Sequence, residues 1–427
     1  MNLKERCILA PNSLLLYFIY NILVYIAGFF LKIVALFNKK LGLFVHGRKT
    51  VFDILSNQIK KEDTVIWFHT ASLGEYEQGL PVLEALKKKY PTHKFVLTFF
   101  SPSGYEVKKD SGVADVITYL PLDTKANAKR FLKLIHPELV VFVKYEFWPN
   151  YLAELKKQQI HTISISTIFR PSQAFFKFYG GWMRKSLHAF NHIFVQDEAS
   201  QKLLESIHYT NTTISGDTRF DRVLEILQRD NSLAFIEDFK GDKTCVVIGS
   251  SWQEDEALFV PFINDSTKDC KYIIAPHTIK SQEIEKLKSS ITKNTVLFSE
   301  LDQHQDLSQF AVFIVDTIGI LTKVYSYADI AYVGGGMGNT GLHNTLEPAV
   351  FRIPVVIGKN YVGFKEAEDL VALGGVLSVK SQTEFNTTMN RLLEDANFKT
   401  SVGVMNHNYV HSHGNASEII MEYLSKR

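Results

Sequence analysis

Glu75 is the first residue whose position suggests chemistry. The stretch HTASLGEYEQGLPVLEAL leaves an apolar strand, and Ser72, Leu73 and Gly74 form a small turn before Glu75 opens a helix. A carboxylate at a helix N-terminus is stabilised as an anion, which is an ordinary structural role. It is also placed to act as a general base that takes a proton from a substrate hydroxyl. The residues alone leave both interpretations open.

Lys144 and Glu146 form a second candidate group. They end the apolar stretch LVVFVKYEFWPN, in which Trp148, Pro149 and Asn150 turn into a helix. Charged side chains that emerge from a buried strand are candidates for a functional site. The alternative is that Lys144 pairs with Glu146, or Glu146 with the backbone, and that this contact only holds the loop.

Two arginines follow later strands in the first half of the chain. Arg170 lies in STIFRPSQ and Arg219 in SGDTRFDRV. A guanidinium group binds phosphate or carboxylate through parallel hydrogen bonds, so arginines at such turns suit an anionic ligand. The alternative is a surface arginine that pairs with Asp217 or Asp221.

The second half carries two further turns of this kind. VVIGSSWQEDE places Gly249, Ser250 and Ser251 between a strand and a helix, which resembles a phosphate-binding turn but lacks the GK[ST] signature of a P-loop. APHTI places Pro276 and His277 at another strand end, where a single histidine is more often structural than catalytic.

The stretches VDTIGIL and ADIAYVGGGMGNTGLHNTLEPAVF follow. Glycines after a strand allow backbone amides to approach a ligand, and NTLEP can place Asn344 to Glu347 at a helix N-terminus. Glu347 could accept hydrogen bonds from the sugar of a nucleotide, or it could only stabilise the helix start. The chain has no GxGxxG with a matching acidic residue, and no HExxH or Asp-rich loop, so neither NAD nor a metal ion is indicated.

Short β-rich runs that alternate with amphipathic stretches must position these residues. The predicted strands begin at Val65, Lys94, Val116, Leu139, His161 and His192, and then at Thr244, Tyr272, Ala311, Ile330 and Pro354. Runs that are apolar on both faces predict parallel sheets covered by helices. We therefore expect an α/β fold of two Rossmann-like domains that face each other across a cleft, with ligands beyond the carboxyl ends of the strands.

An apolar run at residues 14–38, LLLYFIYNILVYIAGFFLKIVALFN, precedes these domains. It is long enough to cross a hydrocarbon core of about 30 Å, although Asn21 and Lys32 reduce its hydrophobicity. We expect a retained membrane anchor; a helix that lies along the interface and a hydrophobic core helix are the alternatives. A cleaved signal peptide fits poorly. Lys39, Lys40 and the basic residues after them place the rest of the chain on the cytoplasmic side.

Composition agrees with a folded protein of two domains. The chain has 427 residues, of which 46% are hydrophobic and 22% charged, and its net charge of +2 gives no indication of nucleic-acid binding. Cys7, Cys245 and Cys270 show neither paired nor metal-binding spacing, so we expect reduced thiols and a cytoplasmic body.

Taken together, these motifs resemble the family of 3-deoxy-D-manno-octulosonic acid (Kdo) transferases, over nearly the whole chain. The marks are HTASLGE, TFFSPSGYE, KYEFWPN, ISGDTRFD, DTIGIL, YVGGG and GLHNTLEP, in that order. The resemblance implies a GT-B architecture, CMP-Kdo as donor, the lipid A precursor as acceptor and an N-terminal anchor. It also implies inverting transfer without a metal or other cofactor, with the acceptor bound by the first half and CMP by the second.

The resemblance assigns roles to three residues of the first half. Glu75 becomes the base that deprotonates the attacking glucosamine hydroxyl. Arg219, in RFD where the family has a KFD-like segment, retains a cation that can stabilise the departing phosphate or the donor carboxylate. Glu146 matches one of two glutamates in the better-known WPN motif. Lys144 stands where that motif has the other glutamate, so no role is carried over to it.

For the nucleotide, the resemblance implies contacts in three turns. These residues are Pro276 and His277, then Ile318, Gly319 and Ile320, and then Asn344, Thr345, Leu346 and Glu347. His277 replaces an arginine and Ile320 a glutamate of the commoner pattern, so backbone contacts transfer there more securely than side-chain contacts. We add Ser250 and Arg170 as candidate substrate-binding residues on their own positions.

The expected organisation is an anchor with a basic flank (residues 1–45), an acceptor domain (46–228), a CMP-sugar domain (229–415) and a C-terminal helix (416–427). The predicted function is transfer of Kdo to the lipid A precursor lipid IVA in lipopolysaccharide biosynthesis, at the cytoplasmic side of the inner membrane. Another GT-B transferase that uses a UDP-sugar, or a non-catalytic membrane-bound protein that binds nucleotide-sugars, are the alternatives.

Overall fold

The computed structural model of the protein describes residues 3–426, with side chains from residue 15 onward. The prediction of a reduced thiol at Cys7 lies outside the described side chains, as does the first residue of the apolar run. The chain divides into two compact units, residues 1–222 with 415–427, and residues 223–414. The predicted division after residue 228 lies slightly further along the chain, and the C-terminal helix is part of the first unit.

Seven parallel strands form the sheet of the first unit. They are β1 (Val65–Thr70), β2 (Lys94–Phe99), β3 (Val116–Tyr119), β4 (Pro137–Val143), β5 (His161–Thr167), β6 (His192–Val195) and β7 (Thr212–Ile214). Their spatial order is β3-β2-β1-β4-β5-β6-β7. The order reverses between β1 and β4, and ligands of such sheets bind outside the carboxyl ends of the strands at this reversal.

Helices accompany these strands, and those that pack on the sheet cover both of its faces. They are α1 (Leu3–Val34), α2 (Lys39–His46), α3 (Val51–Gln58), α4 (Leu73–Lys89), α5 (Pro102–Lys108), α6 (Lys125–Ile135), α7 (Pro149–Lys157), α8 (Gly181–Leu187), α9 (Glu198–Glu205) and α10 (Thr218–Ile226). Two hydrophobic clusters pack on this sheet; one of them contains Trp67, whose indole N–H donates to Thr98 Oγ1 at 2.8 Å.

A second sheet of seven parallel strands forms the other unit. Its strands are β8 (Thr244–Ser251), β9 (Cys270–Pro276), β10 (Thr295–Leu297), β11 (Val312–Ile314), β12 (Ile330–Val333), β13 (Val355–Ile357) and β14 (Val376–Ser378). The spatial order is β10-β11-β9-β8-β12-β13-β14, so this sheet reverses between β8 and β12. The predicted α/β class with two Rossmann-like sheets is confirmed.

The remaining helices are α11 (Ala234–Lys240), α12 (Gln253–Asp265), α13 (Ser281–Ser290), α14 (Leu321–Val324), α15 (Leu346–Ala349), α16 (Lys365–Leu373), α17 (Gln382–Glu394), α18 (Ala396–His413) and α19 (Ala416–Ser425). Short 3-10 helices cover Ala174–Phe176, Phe298–Gln303 and Tyr325–Tyr327. The C-terminal α19 packs on α4 in the first unit.

Helix α1 carries most of the apolar run. It ends at Val34, and Asn38 caps α2 by accepting a hydrogen bond from the N–H of Leu41 at 3.1 Å, so residues 14–38 are not one continuous helix. The segment Leu15–Val34 has 20 residues, is apolar enough to cross a membrane, and has 0% of its most apolar window buried inside the protein. This exposure argues against the core-helix alternative and indicates membrane association.

One face of α1 nonetheless contacts the first unit. Partly covered residues recur at every third or fourth position, which is the spacing of one helix face. They are Tyr17, Tyr20, Val24, Gly28 and Leu31. The hydroxyl of Tyr17 donates to Asn150 Oδ1 at 2.6 Å, and that of Tyr20 donates to Asp123 Oδ2 at 2.7 Å. The helix therefore lies along the folded unit, with its other faces exposed.

Candidate active site

Four candidate residues of the first unit follow the carboxyl ends of its strands. Glu75 follows β1, Glu146 follows β4, Arg170 follows β5 and Arg219 follows β7. Because β1 and β4 flank the reversal in strand order, the two glutamates come from the two sides of the position where such sheets bind ligands.

Glu75 occupies the third position of α4. The N-cap residue Ser72 accepts a hydrogen bond from the N–H of Glu75 at 3.4 Å, and a carboxylate oxygen of Glu75 accepts one from the N–H of Ala71 at 2.5 Å. Such reciprocal contacts resemble a capping box, so the structural role considered for Glu75 is present.

The environment of Glu75 also changes its acidity. Burial, and next the negative charge of Glu146, raise the pKa of Glu75 to about 7 from the ordinary 4.5. Hydrogen bonds from the backbone and the charge of Lys144 act in the opposite direction. A carboxyl group with a pKa near neutrality, at a ligand-binding edge, is suited to accept a proton from a substrate. The capping role therefore does not exclude the catalytic one.

Glu146 is buried and held by two aromatic side chains. Its Oε2 lies 3.1 Å from Nε2 of His69 and accepts a hydrogen bond from the indole N–H of Trp148 at 2.7 Å. His69 is fully buried, and its Nδ1 lies 2.8 Å from the hydroxyl of Thr98. The network is satisfied when this hydroxyl donates to Nδ1 and Nε2–H donates to Glu146. Sequence reasoning missed His69, although it is the first residue of HTASLGE.

Lys144 has an unusual backbone conformation. Its φ of 66° lies in the left-handed region, which non-glycine residues seldom adopt, and its N–H donates to the carbonyl of Ile165 at 2.9 Å. Such strain often accompanies functional sites. The charge of Lys144 lowers the pKa of Glu75, so the cation at this position partly counteracts the effect of Glu146.

Tyr145 is a further residue that the sequence did not single out. Burial raises its pKa, and the charges of Arg170, Asp217, Arg219 and Glu75 all act on it. These interactions place Tyr145 among the candidate charged groups of the first unit. Its position between Lys144 and Glu146 in KYEFWPN could have identified it as a candidate from the sequence.

Arg219 forms the ion pair that was considered as its structural alternative. Its Nε donates to Asp217 Oδ2 at 2.8 Å, and its backbone N–H donates to Oδ1 at 2.9 Å. Asp217 is buried and also accepts a hydrogen bond from the amide of Gln78 at 2.5 Å. Asp221 instead accepts from the N–H of Ser417 at 3.0 Å. Asp217 therefore orients the guanidinium of Arg219, whose side chain remains 34% exposed.

An aromatic cluster that the sequence did not predict lies at the carboxyl edge of the second sheet. The ring of Trp252 stacks on that of His277, with centroids 4.5 Å apart, and its indole N–H donates to His343 Nε2 at 3.1 Å. Burial, and next the charge of His277, lower the pKa of His343 to about 4. His343 is therefore a neutral acceptor at neutral pH, and His277 is more than a single isolated histidine.

Asp255 holds the glycine-rich loop against the turn after β8. Its Oδ2 accepts from the N–H groups of Trp252 at 2.9 Å and Gly335 at 2.8 Å, and its Oδ1 accepts from the hydroxyl of Tyr332 at 2.7 Å. A Cβ at Gly334 would lie 2.4 Å from the carbonyl oxygen of Ser250, so a side chain has no room there. Ser250 itself adopts a φ of 53°.

The turn before α15 contains the last group of candidates. Asn344 accepts a hydrogen bond from the N–H of Leu346 at 3.0 Å and donates to Glu347 Oε1 at 3.2 Å. The buried hydroxyls of Thr345 and Ser251 have no hydrogen-bond partner among the described residues. Leu346 is fully buried, so its side chain belongs to the core and only its backbone suits a ligand contact.

Ile318, Gly319 and Ile320 form the loop that leads into α14. Ile318 is 86% exposed, Gly319 has a φ of 98°, and Ile320 is the N-cap residue of α14. Pro276, the last residue of β9, is half-buried beside the exposed His277. In the described part of the chain, no group of three or more His, Cys, Asp or Glu side chains is arranged to hold a metal ion.

Comparison with known proteins agrees with this arrangement. Residues 45–222 match the family model for 3-deoxy-D-manno-octulosonic-acid transferase, or Kdo transferase. A transferase of this description from Aquifex aeolicus is 29% identical over 354 residues, which cover 80% of this chain and 91% of that protein. One from Chlamydophila psittaci is 27% identical over 345 residues, covering 78% and 79%. Over most of its length, the chain is therefore similar to Kdo transferases.

Solved structures agree with the fold described above. UDP-GlcNAc 2-epimerase from Neisseria meningitidis matches with a TM-score of 0.61 at 15% identity, over 86% of this chain and 100% of that chain. At this identity the likeness concerns the GT-B type of fold alone. The family match contains Glu75, Glu146 and Arg219, whose individual roles stay predictions.

Proposed function

We propose that the protein transfers Kdo from CMP-Kdo to a hydroxyl group of the lipid A precursor lipid IVA, with inversion at the anomeric carbon, as a step of lipopolysaccharide biosynthesis. Similarity to Kdo transferases over most of the chain supports the glycosyltransferase activity and the donor. The observation that carries the mechanism is Glu75, a capped carboxylate beside the strand reversal whose pKa is raised to about 7.

Glu75 acts as the general base. Its carboxylate takes the proton of an acceptor hydroxyl while that oxygen forms a bond to the anomeric carbon of Kdo. The bond from this carbon to the phosphate oxygen breaks, and CMP leaves with the electron pair. General-base catalysis is most effective when the pKa of the base lies near the working pH, which fits Glu75.

Arg219 and Glu146 support this step. Asp217 orients the Arg219 guanidinium, whose charge stabilises the negative charge that develops on the departing phosphate, or the carboxylate of the donor. His69 and Trp148 hold Glu146 in place, and the negative charge of Glu146 raises the pKa of Glu75. Arg170 remains a candidate for a further anionic contact.

The second unit binds the CMP moiety in this proposal. The stacked rings of Trp252 and His277 offer a flat face to a ligand, and Glu347 is a carboxylate that can accept hydrogen bonds from the ribose. The unpartnered hydroxyls of Ser251 and Thr345 are further groups that a nucleotide could satisfy. No metal ion or other cofactor takes part.

The protein acts at the cytoplasmic face of the inner membrane in this proposal. If α1 crossed the bilayer, the surface of the first unit that packs against Tyr17, Tyr20 and Leu31 would also have to enter the hydrocarbon region. Because the covered stripe runs along the described part of α1, we favour the interfacial alternative, in which the outer faces of the helix enter the membrane. Anionic lipid attracts the basic residues after it.

Mass spectrometry of the reaction product tests this function. The purified protein is incubated with CMP-Kdo and lipid IVA in membrane nanodiscs, and Kdo addition to the lipid with release of CMP is expected. Product only with a UDP-sugar would instead support the other GT-B transferase, and binding of CMP-Kdo without any product would support the non-catalytic alternative.

A further inference from the structure

A cavity of about 500 Å³ lies between the membrane-associated helix and the first unit. Its mostly apolar wall includes Gly28 of α1, Phe44 of α2, Phe52 of α3, Leu122 in the loop after β3, and Ala126 in the first turn of α6. Its volume lies within the range of small-molecule sites, which are concave and largely apolar with a few polar groups. None of the candidate residues described above lines this cavity.

The charged groups of the cavity wall are all basic, and Tyr25, Thr124 and Asn127 add neutral polar groups. Lys32, Arg48 and Lys49 line it, and no acidic side chain of the described residues does so. The guanidinium of Arg48 donates to the carbonyls of Phe44, Leu120 and Phe100, at 2.8, 2.9 and 2.7 Å, which fixes its charge in the wall, and the described residues provide no carboxylate partner for it. Such a set of cations complements an anionic ligand that has an apolar part.

A short path of hydrogen bonds links this cavity to Glu75. Arg48 donates to the carbonyl of Phe100, the N–H of the next residue, Ser101, donates to the carbonyl of Ala71 at 2.7 Å, and the N–H of Ala71 donates to Glu75. Pro121 and Leu122 of the cavity wall follow the carboxyl end of β3, and Glu75 follows that of β1, so both lie at the same edge of the first sheet.

We propose that this cavity binds one acyl chain of the acceptor lipid, with Lys32 and Lys49 available to a phosphate group of the same molecule. The proposal rests on the proposed function, because it assigns the cavity to the acceptor of that reaction. In this proposal the exposed outer faces of α1 contact bulk lipid, whereas the cavity on its inner side receives the acceptor at the sheet edge that also carries Glu75.

Ala126→Trp tests the cavity directly. Ala126 is exposed on α6, so a tryptophan there can obstruct the cavity without disturbing the core. Lys129→Trp places the same side chain at an exposed position of the same helix that does not line the cavity. Thermal unfolding and CMP binding establish that both variants are folded.

The KM for lipid IVA and for CMP-Kdo, and equilibrium binding of lipid IVA alone, are measured in phosphatidylcholine nanodiscs. We expect Ala126→Trp to raise the KM and Kd for lipid IVA about tenfold or more, since burial of two methylene groups already corresponds to roughly that factor. The KM for CMP-Kdo should not change. Lys49→Gln should weaken binding of lipid IVA but not of its dephosphorylated form.

Three results would overturn the proposal. Equal affinity of Ala126→Trp and Lys129→Trp for lipid IVA would show that the cavity is not used. Displacement of lipid IVA by excess phosphatidylglycerol, with the same loss of phosphatidylglycerol binding in Ala126→Trp, would make it a general phospholipid site. Absence of lipid IVA binding by the unaltered protein would also overturn the proposal. Binding without transfer would instead contradict the proposed function and leave the cavity assignment standing.

Discussion

The Nε2 atom of His69 lies 3.1 Å from Oε2 of Glu146, and both side chains are buried. The two residues belong to different strand ends, β1 and β4, that meet at the reversal of the first sheet. The histidine holds a carboxylate whose charge acts on Glu75. A buried pair at the strand ends thus adds to the effect of burial in raising the pKa of the proposed base.

Replacement of the proposed base tests its role. Glu75→Gln should retain CMP binding and lower turnover by roughly 10²–10⁴, the usual contribution of general acid–base catalysis. Glu84→Gln, at an exposed position of the same helix, is the matched control and should turn over normally. Near-normal turnover of Glu75→Gln would return Glu75 to a purely structural role.

The pH profile tests the link between the two glutamates. Because Glu75 must be deprotonated to accept a proton, turnover of the unaltered protein should fall as the pH decreases through about 7. Glu146→Gln removes a negative charge that raises the pKa of Glu75, so its acidic limb should move to lower pH. An unshifted limb in this variant would show that another group controls the profile.

Glu75 should also destabilise the folded protein at neutral pH. Its folded pKa of about 7 exceeds the ordinary 4.5, so the folded state binds more protons between these values and loses stability as the pH rises through them. At about 1.4 kcal/mol per pKa unit, the cost is up to about 3 kcal/mol above pH 7. Glu75→Gln should therefore melt at a higher temperature than the unaltered protein at pH 8, with the difference reduced at pH 4. A lower melting temperature at pH 8 would show that the capping contact dominates.

Glu347 tests the nucleotide site of the second unit. Glu347→Ala should weaken CMP binding about tenfold, through lost hydrogen bonds of a charged acceptor, while membrane association stays unchanged. Titration calorimetry of both proteins measures the change, with Glu285→Ala on the exposed face of α13 as control. An unaltered affinity for CMP would show that Glu347 has a structural role, which includes its contact with Asn344.

Cys7 reports how α1 meets the membrane, because it precedes the apolar run. If the helix lies in the interface, a membrane-impermeant maleimide added to intact spheroplasts should leave Cys7 unlabelled, and label it after lysis. A spanning helix would expose Cys7 to the reagent before lysis. The Cys7→Ser variant measures the background labelling of Cys245 and Cys270.

Much of the fold was predictable from the sequence because buried parallel strands have an apolar signature. All the strands predicted from Val65 to Pro354 are present, since runs such as VIWFHT and LVVFV can only be accommodated in a covered sheet. Three strands were missed, Thr212–Ile214, Thr295–Leu297 and Val376–Ser378. Runs of three residues are too short to show a period and form only because a neighbouring strand already offers an edge.

The sequence by itself determined which residues follow the strands, because local patterns mark where a strand ends and a helix begins. It therefore determined Glu75, Glu146, Arg219 and Glu347 as candidates. Only the tertiary structure decided that His69 supports Glu146, and that Trp252 stacks on His277. The two residues of each pair are separated in the chain. They come together because of the order of the strands in the sheet, which no local sequence pattern encodes. The same holds for the covered face of α1, since its apolar residues suit lipid and protein equally and only packing distinguishes the two.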